Sequence, residues 1–261
     1  MLSLFDLSGK SALVTGAGSG IGFAMAEGLA ENGAQVFLSD ISDENLKRSV
    51  ARLTDRGFSC KSGIADTADR NQVFAVADEA VKHFGKLDIV IANAGISAGP
   101  GPTTDLGTIE AVDPQRWSQV LAINLTGVFS TMQAAAKHMK PQRSGRIIVT
   151  VSTAGFRADP MVGYAYAATK AAVANLVRQA AMDFSRFNVH VNGIAPGPFR
   201  TNIGNGRMQD PATEKAFGDS LPLGRIGNPD EIKGPTLLLA SEASSFMTGA
   251  IIPVDGGALT W

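Results

Sequence analysis

The chain has 261 residues, 44% of them hydrophobic, enough for a sizeable core and for one large domain or two small ones. Its 23 Lys+Arg and 24 Asp+Glu nearly cancel to a net charge of −1, so no basic footprint points to nucleic acid or to an anionic membrane. The single cysteine, Cys60, cannot form an internal disulfide. The opening Met1-Leu-Ser-Leu-Phe-Asp6 has an early acid and no basic start, unlike a secretory signal. No apolar run approaches the ~20 residues that span a bilayer. These features lead us to expect a cytoplasmic protein with neither a membrane nor a nucleic-acid partner.

In chain order, short apolar runs at 11–14, 35–39, 59–64, 89–92, 146–151, 189–194 and 251–254 read as strands. Several are nearly continuous in Val, Ile, Leu and Ala, as parallel strands buried on both faces should be. Helical periodicity occupies 21–32, 43–56, 69–84, 114–140, 164–186 and 229–240. Gly33, Gly57 and Gly85 stand where a helix-ending glycine belongs, and Pro114 and Pro229 stand in first turns. The alternation predicts an α/β fold: a single doubly wound parallel sheet of Rossmann type with helices on both faces. No linker or charge block divides it, so one nucleotide-binding domain is expected over 1–261. Gly- and Pro-rich stretches at 97–113 and 195–210 read as irregular, and substrate loops are expected at 97–113 and 195–220.

Gly16, Gly20 and Gly22 follow the first strand and open the first helix. Glycine there lets the backbone approach a pyrophosphate, and the helix N-terminus offers unpaired N–H groups. Asp40 ends the second strand, where a carboxylate can accept from ribose hydroxyls. Against a 2′-phosphate it would face like charge, about 4 kcal/mol at 4 Å and an effective dielectric of ~20. Position 19 is Ser, Ile41 follows the acid, and the turn holds no Lys or Arg, so NAD is expected over NADP. Further on, Tyr166 and Lys170 are spaced i, i+4, which places a phenol and an ammonium on one helix face. An ammonium about 4 Å away would favour the phenolate by up to about 4 kcal/mol, suiting Tyr166 to general acid/base work. Tyr164 is i+6 from Lys170 and points elsewhere.

With these features together, the chain resembles the short-chain dehydrogenase/reductase family, in its branch of about 250 residues. The resemblance rests on Thr15-Gly-Ala-Gly-Ser-Gly-Ile-Gly22, Asn93-Ala-Gly95, Asn124, Ser152, Tyr166-x-x-x-Lys170, Pro196-Gly197 with Thr201, and Val254-Asp-Gly-Gly257, in that order. It implies about seven strands and a catalytic group of Asn124, Ser152, Tyr166 and Lys170. Ser152 would hold the substrate oxygen, Lys170 the nicotinamide ribose, and Asn124 a water linking Lys170 to solvent. The cofactor-binding set it implies is Gly16, Ser19, Gly20, Ile21, Gly22, Asp40, Ile41, Asp66, Asn93, Ala94, Gly95, Tyr166, Lys170, Pro196, Gly197, Phe199 and Thr201, with Asp66 at the adenine edge. The activity implied is hydride exchange between NAD(H) and a secondary alcohol or ketone by a homotetramer. Alternatives are a 3-oxoacyl-thioester reductase or an inactive nicotinamide-binding scaffold.

The substrate positions are expected within 97–102, 153–156, 159–163 and 198–215, where Arg157, Arg200 and Asn202 offer polar contacts and Phe156, Met161 and Phe199 apolar ones. The segments 4–10 and 191–197 look similar to gluconate and related polyol dehydrogenases. His83, His138 and His190 are too scattered for a metal site, so no metal is expected.

Overall fold

The computed structural model describes residues 3–201, 203, 206 and 210–260. Among these, seven strands form one sheet: β1 (Ser11–Thr15), β2 (Gln35–Asp40), β3 (Cys60–Ile64), β4 (Ile89–Ala92), β5 (Gly145–Thr150), β6 (Val189–Pro196) and β7 (Ile251–Val254). Their order is β3-β2-β1-β4-β5-β6-β7 and every neighbouring pair is parallel. The helices are α1 (Gly20–Glu31), α2 (Asp43–Thr54), α3 (Arg70–Phe84), α4 (Pro114–Leu121), α5 (Val128–Gln142), α6 (Tyr164–Phe184), α7 (Pro211–Asp219) and α8 (Lys233–Ala240).

Strand residues alternate between two cores, which is why the strands are apolar throughout. Leu13, Phe37, Val90, Val149 and Val191 pack against side chains of α3, α5 and α6. Ala12, Val14, Val36, Leu38, Ile91 and Ile148 pack against α1, α2 and α8 on the other face. Each fully buried Leu or Ile contributes about 1.5–3 kcal/mol, so both layers are fastened along their length. The expected punctuation is in place: Gly33, Gly57 and Gly85 are left-handed, and Asp69 and Asp113 cap α3 and α4 through their carboxylates. None of the described helices is long and apolar enough to cross a membrane.

Three stretches differ from their sequence reading. The helix expected over 114–140 is α4, a π-helical segment Ala122–Gly127, and α5. The helix expected over 229–240 opens as a 3-10 turn, Pro229–Ile232, before α8. The 195–220 loop contains α7, which Asp210 caps and Pro211 opens.

The order of strands reverses between β1 and β4. At such a switch point the loops leaving the carboxyl ends diverge and open a crevice. The glycine turn leaves β1 there and Asn93 leaves β4.

Candidate active site

The crevice is a cleft of about 660 Å³, within the range of small-molecule sites. Its floor is the glycine turn. Gly16 has φ +67°, and a Cβ on it would stand 2.8 Å from Ala94 Cα. A Cβ on Gly22 would stand 2.1 Å from Gly16 O. Both positions therefore need glycine, one for its backbone conformation and both for close packing. Ser19 is the N-cap of α1, yet its side chain makes no capping bond. The first N–H groups of α1 thus lack a side-chain acceptor and suit an anion. This cradle fits a dinucleotide pyrophosphate.

Asn93 binds the strand ends together. Its Nδ2 donates to Thr15 O at 3.0 Å and to Gly16 O at 3.2 Å, and its Oδ1 accepts from Thr150 Oγ1 at 3.0 Å. Its own N–H donates to Thr15 Oγ1 at 3.1 Å. Thr150 O then accepts from Lys170 Nζ at 2.7 Å. One polar chain therefore joins the glycine turn, β1, β4, β5 and α6. Thr150 carries no distinguishing pattern in the sequence, being a threonine at a strand end, and Thr15 is legible there only as the first residue of the glycine-turn motif.

Ser152 lies near enough to Tyr166 to favour its phenolate, and Lys170 Nζ lies 5.6 Å from the centre of the Tyr166 ring. The i, i+4 spacing does place phenol and ammonium on one face of α6. The expected electrostatics do not follow. Burial dominates both groups: it pushes the Tyr166 phenol above its ordinary value and Lys170, only 2% exposed, down to about 8. Coulomb attraction favours the charged pair, but taking both groups out of water outweighs it. The Ser152 hydrogen bond lowers the phenol and the charge of Asp159 raises it further.

The substrate side is built from two joined segments. Thr103 Oγ1 donates to Pro160 O at 3.0 Å, and Cβ atoms on Gly101 or Gly163 would meet Pro160 O or Ala98 O. Ser97, Gly99, Pro100, Arg116, Asp159 and Met161 line the cleft from this side. Arg116 was not anticipated; its position in a helix after the loop gave no signal. Of the anticipated polar residues, Arg200 is held by Glu214 and Asn228, Arg157 is not in the lining, and Asn202 lies outside the described residues.

Most of the expected set lines the cleft: Gly16, Ser19, Gly20, Ile21, Gly22, Asp40, Asn93, Ala94, Gly95, Ser152, Tyr166, Lys170, Pro196, Gly197, Phe199 and Thr201. Three residues do not. Ile41 is exposed on the outer surface. Asp66 instead accepts from Ala68 N at 2.9 Å in the turn before α3. Asn124 is fully buried behind the wall. Its Oδ1 accepts from Ile96 N and its Nδ2 donates to Ile96 O, each at 2.8 Å. Its carboxamide is thus spent on Ile96 in the 93–97 segment. Tyr164 stays out of the cleft, as its spacing required. His138 bonds Asp78, and His190 bonds Met247 O.

A glycine turn at the switch point, facing a Ser–Tyr–Lys group, is the arrangement of a nicotinamide-dependent oxidoreductase. The enoyl-(acyl carrier protein) reductase family model matches residues 16–259, and the chain belongs to the short-chain dehydrogenase/reductase family of oxidoreductases. It is 34% identical over 259 residues to the 5-keto-D-gluconate 5-reductase of Escherichia coli (strain K12), covering 99% of each chain. Its fold matches a gluconate 5-dehydrogenase of Burkholderia cenocepacia J2315 in complex with NADP and tartrate, with a TM-score of 0.90 at 37% identity, covering 100% of this chain and 99% of that one. A Beutenbergia cavernae protein with bound NADP matches with a TM-score of 0.89 at 34% identity, covering 99% and 100%.

These NADP complexes overturn the expected NAD preference. That preference rested on a free Asp40 carboxylate repelling a 2′-phosphate. In the structure Asp40 Oδ2 accepts from Gly18 N and Oδ1 from Ser42 N, each at 3.0 Å, so the acid is a strut of the turn with both oxygens engaged. The first turn of α2 carries Asp43 and Glu44, and Arg48 pairs with Glu44 at 3.3 Å. Arg48 bonds Asn45, whose Cβ would stand 2.8 Å from a Cβ on Gly18.

Proposed function

We propose that this protein is an NADP(H)-dependent dehydrogenase or ketoreductase that interconverts a secondary alcohol of a polyol or sugar acid and its ketone. The observation that carries this reading is Ser152, Tyr166 and Lys170 gathered in the cleft that the glycine turn floors, with Lys170 Nζ 5.6 Å from the Tyr166 ring. The cofactor, when bound, supplies the hydride carrier and, when oxidised, a positive ring.

In our reading Ser152 fixes the substrate oxygen beside the Tyr166 hydroxyl. Tyr166 takes the proton in oxidation and returns it in reduction. Burial holds Tyr166 protonated in the free enzyme, so its phenolate requires added positive charge in the cleft. Lys170 contributes its own charge and, through Thr150 and Asn93, keeps Tyr166 in register with the turn. Asn124 acts as a positioning residue for Ile96 and the segment before it.

An inactive binding module would need none of the Ser152–Tyr166–Lys170 group. Tyr166→Phe keeps the ring and removes the hydroxyl. It should lower NADP-dependent turnover by at least about 10³-fold while NADP binds within about twofold of wild type. Near-normal turnover in Tyr166→Phe would overturn the assignment.

A further inference from the structure

We propose that Arg116 recognises a carboxylate on the substrate, so that the enzyme selects hydroxy and oxo acids over neutral polyols of the same length. This deepens the oxidoreductase reading and rests on it. Among the described residues that line the cleft, Arg116 and Lys170 are the only lysines or arginines. Lys170 is buried and its Nζ is committed to Thr150 O at 2.7 Å. That leaves Arg116 as the cation a ligand can meet among the described residues.

Arg116 is held without being neutralised. One arm of its guanidinium donates to Ser97 O, and Nη1 donates to Gln119 Oε1 at 2.8 Å. Both partners are uncharged. Among the described residues no carboxylate lies within ion-pair distance of Arg116, whereas Arg56, Arg146, Arg200 and Arg225 each have one. The anchoring fixes the fork at Ser97, in the segment whose Gly99 and Pro100 also line the cleft. A planar guanidinium fixed in this way matches a carboxylate in two parallel bonds.

The other charge on this side assigns a direction. Asp159 lines the cleft and acts on the Tyr166 phenol, and no ion pair joins it to Arg116. An acidic substrate end is repelled from Asp159 and drawn to Arg116. The hydroxyls near the reacting carbon then face Asp159, which accepts from them. The cleft therefore reads an acid at one point and a polyol at another.

The test compares D-gluconate with sorbitol, its uncharged six-carbon counterpart, by NADPH absorbance. Arg116→Gln removes the charge and keeps an amide that can donate to Ser97 O. It should raise the KM for D-gluconate by ~10–100-fold, with kcat within a few-fold and sorbitol kinetics unchanged. Arg116→Lys should recover most of that loss. Added salt should raise the wild-type KM for the acid and leave that of Arg116→Gln flat. Equal losses on acid and polyol would make Arg116 a support for Ser97 and overturn the proposal. Wild-type preference for sorbitol would overturn it too, with the oxidoreductase reading intact. No turnover of any acid, polyol or ketone by wild type would instead overturn the oxidoreductase reading itself.

Discussion

Asp159 and Tyr166 show how one charge can set the working range of a residue it does not touch. The Asp159 carboxylate raises the Tyr166 phenol on top of burial, while the Ser152 hydrogen bond opposes both. Oxidation needs the phenolate, so its rate should climb as pH rises through the phenol's value. Asp159→Asn removes the charge and keeps the oxygen that accepts from Met161 N at 2.9 Å. The sign follows directly: the phenol falls, and the rising limb of kcat against pH moves to lower pH, with a few-fold gain below the wild-type limb. A limb that stays put, or moves to higher pH, would show that Asp159 does not act on the base. The Tyr166/Lys170 pair itself was legible from its spacing. Its energetics were not, because desolvation depends on what surrounds a side chain and a sequence lists only its neighbours along the chain.

At the scale of elements, the break in the long helix after α4 decides how the cleft wall is held. A 27-residue helical pattern gives no sign that six residues, Ala122–Gly127, wind as a π-helix. Such segments are rare and recur at functional sites. Here the segment carries Asn124 against Ile96, and Gly127 sits where a Cβ would lie 2.7 Å from Thr67 O. Asn124→Ala leaves the Ile96 N–H and C=O without their partner in a part-buried setting. That should cost about 1–3 kcal/mol per group, seen as a lowered Tm. Because Asn93, Ala94 and Gly95 precede Ile96 and line the cleft, NADP affinity should fall as well. Unchanged affinity in a folded variant would confine Asn124 to a structural role. The helix-ending glycines and first-turn prolines, by contrast, were readable in advance, since caps act within a few residues.

At the scale of the whole molecule, large apolar side chains remain exposed on the outer helices: Trp117 on α4, Phe129 on α5 and Met182 on α6. We propose that they are covered in a homotetramer, as the family resemblance implies. Light scattering should then read four copies of 27.1 kDa, and a single-copy mass would overturn this. The sequence by itself determined the alternation of strands and helices, the glycine turn after β1, and the residue types of the Ser152–Tyr166–Lys170 group. All three are written in local period, in local backbone need and in fixed spacing. Only the tertiary structure decided that Asp40 is spent on Gly18 and Ser42, that Asn93 and Thr150 link the turn to Lys170, and that Arg116 enters the cleft without a carboxylate partner among the described residues. Each of those joins residues from different strands or loops. Their meaning depends on distance and burial across the sheet, which chain order does not carry.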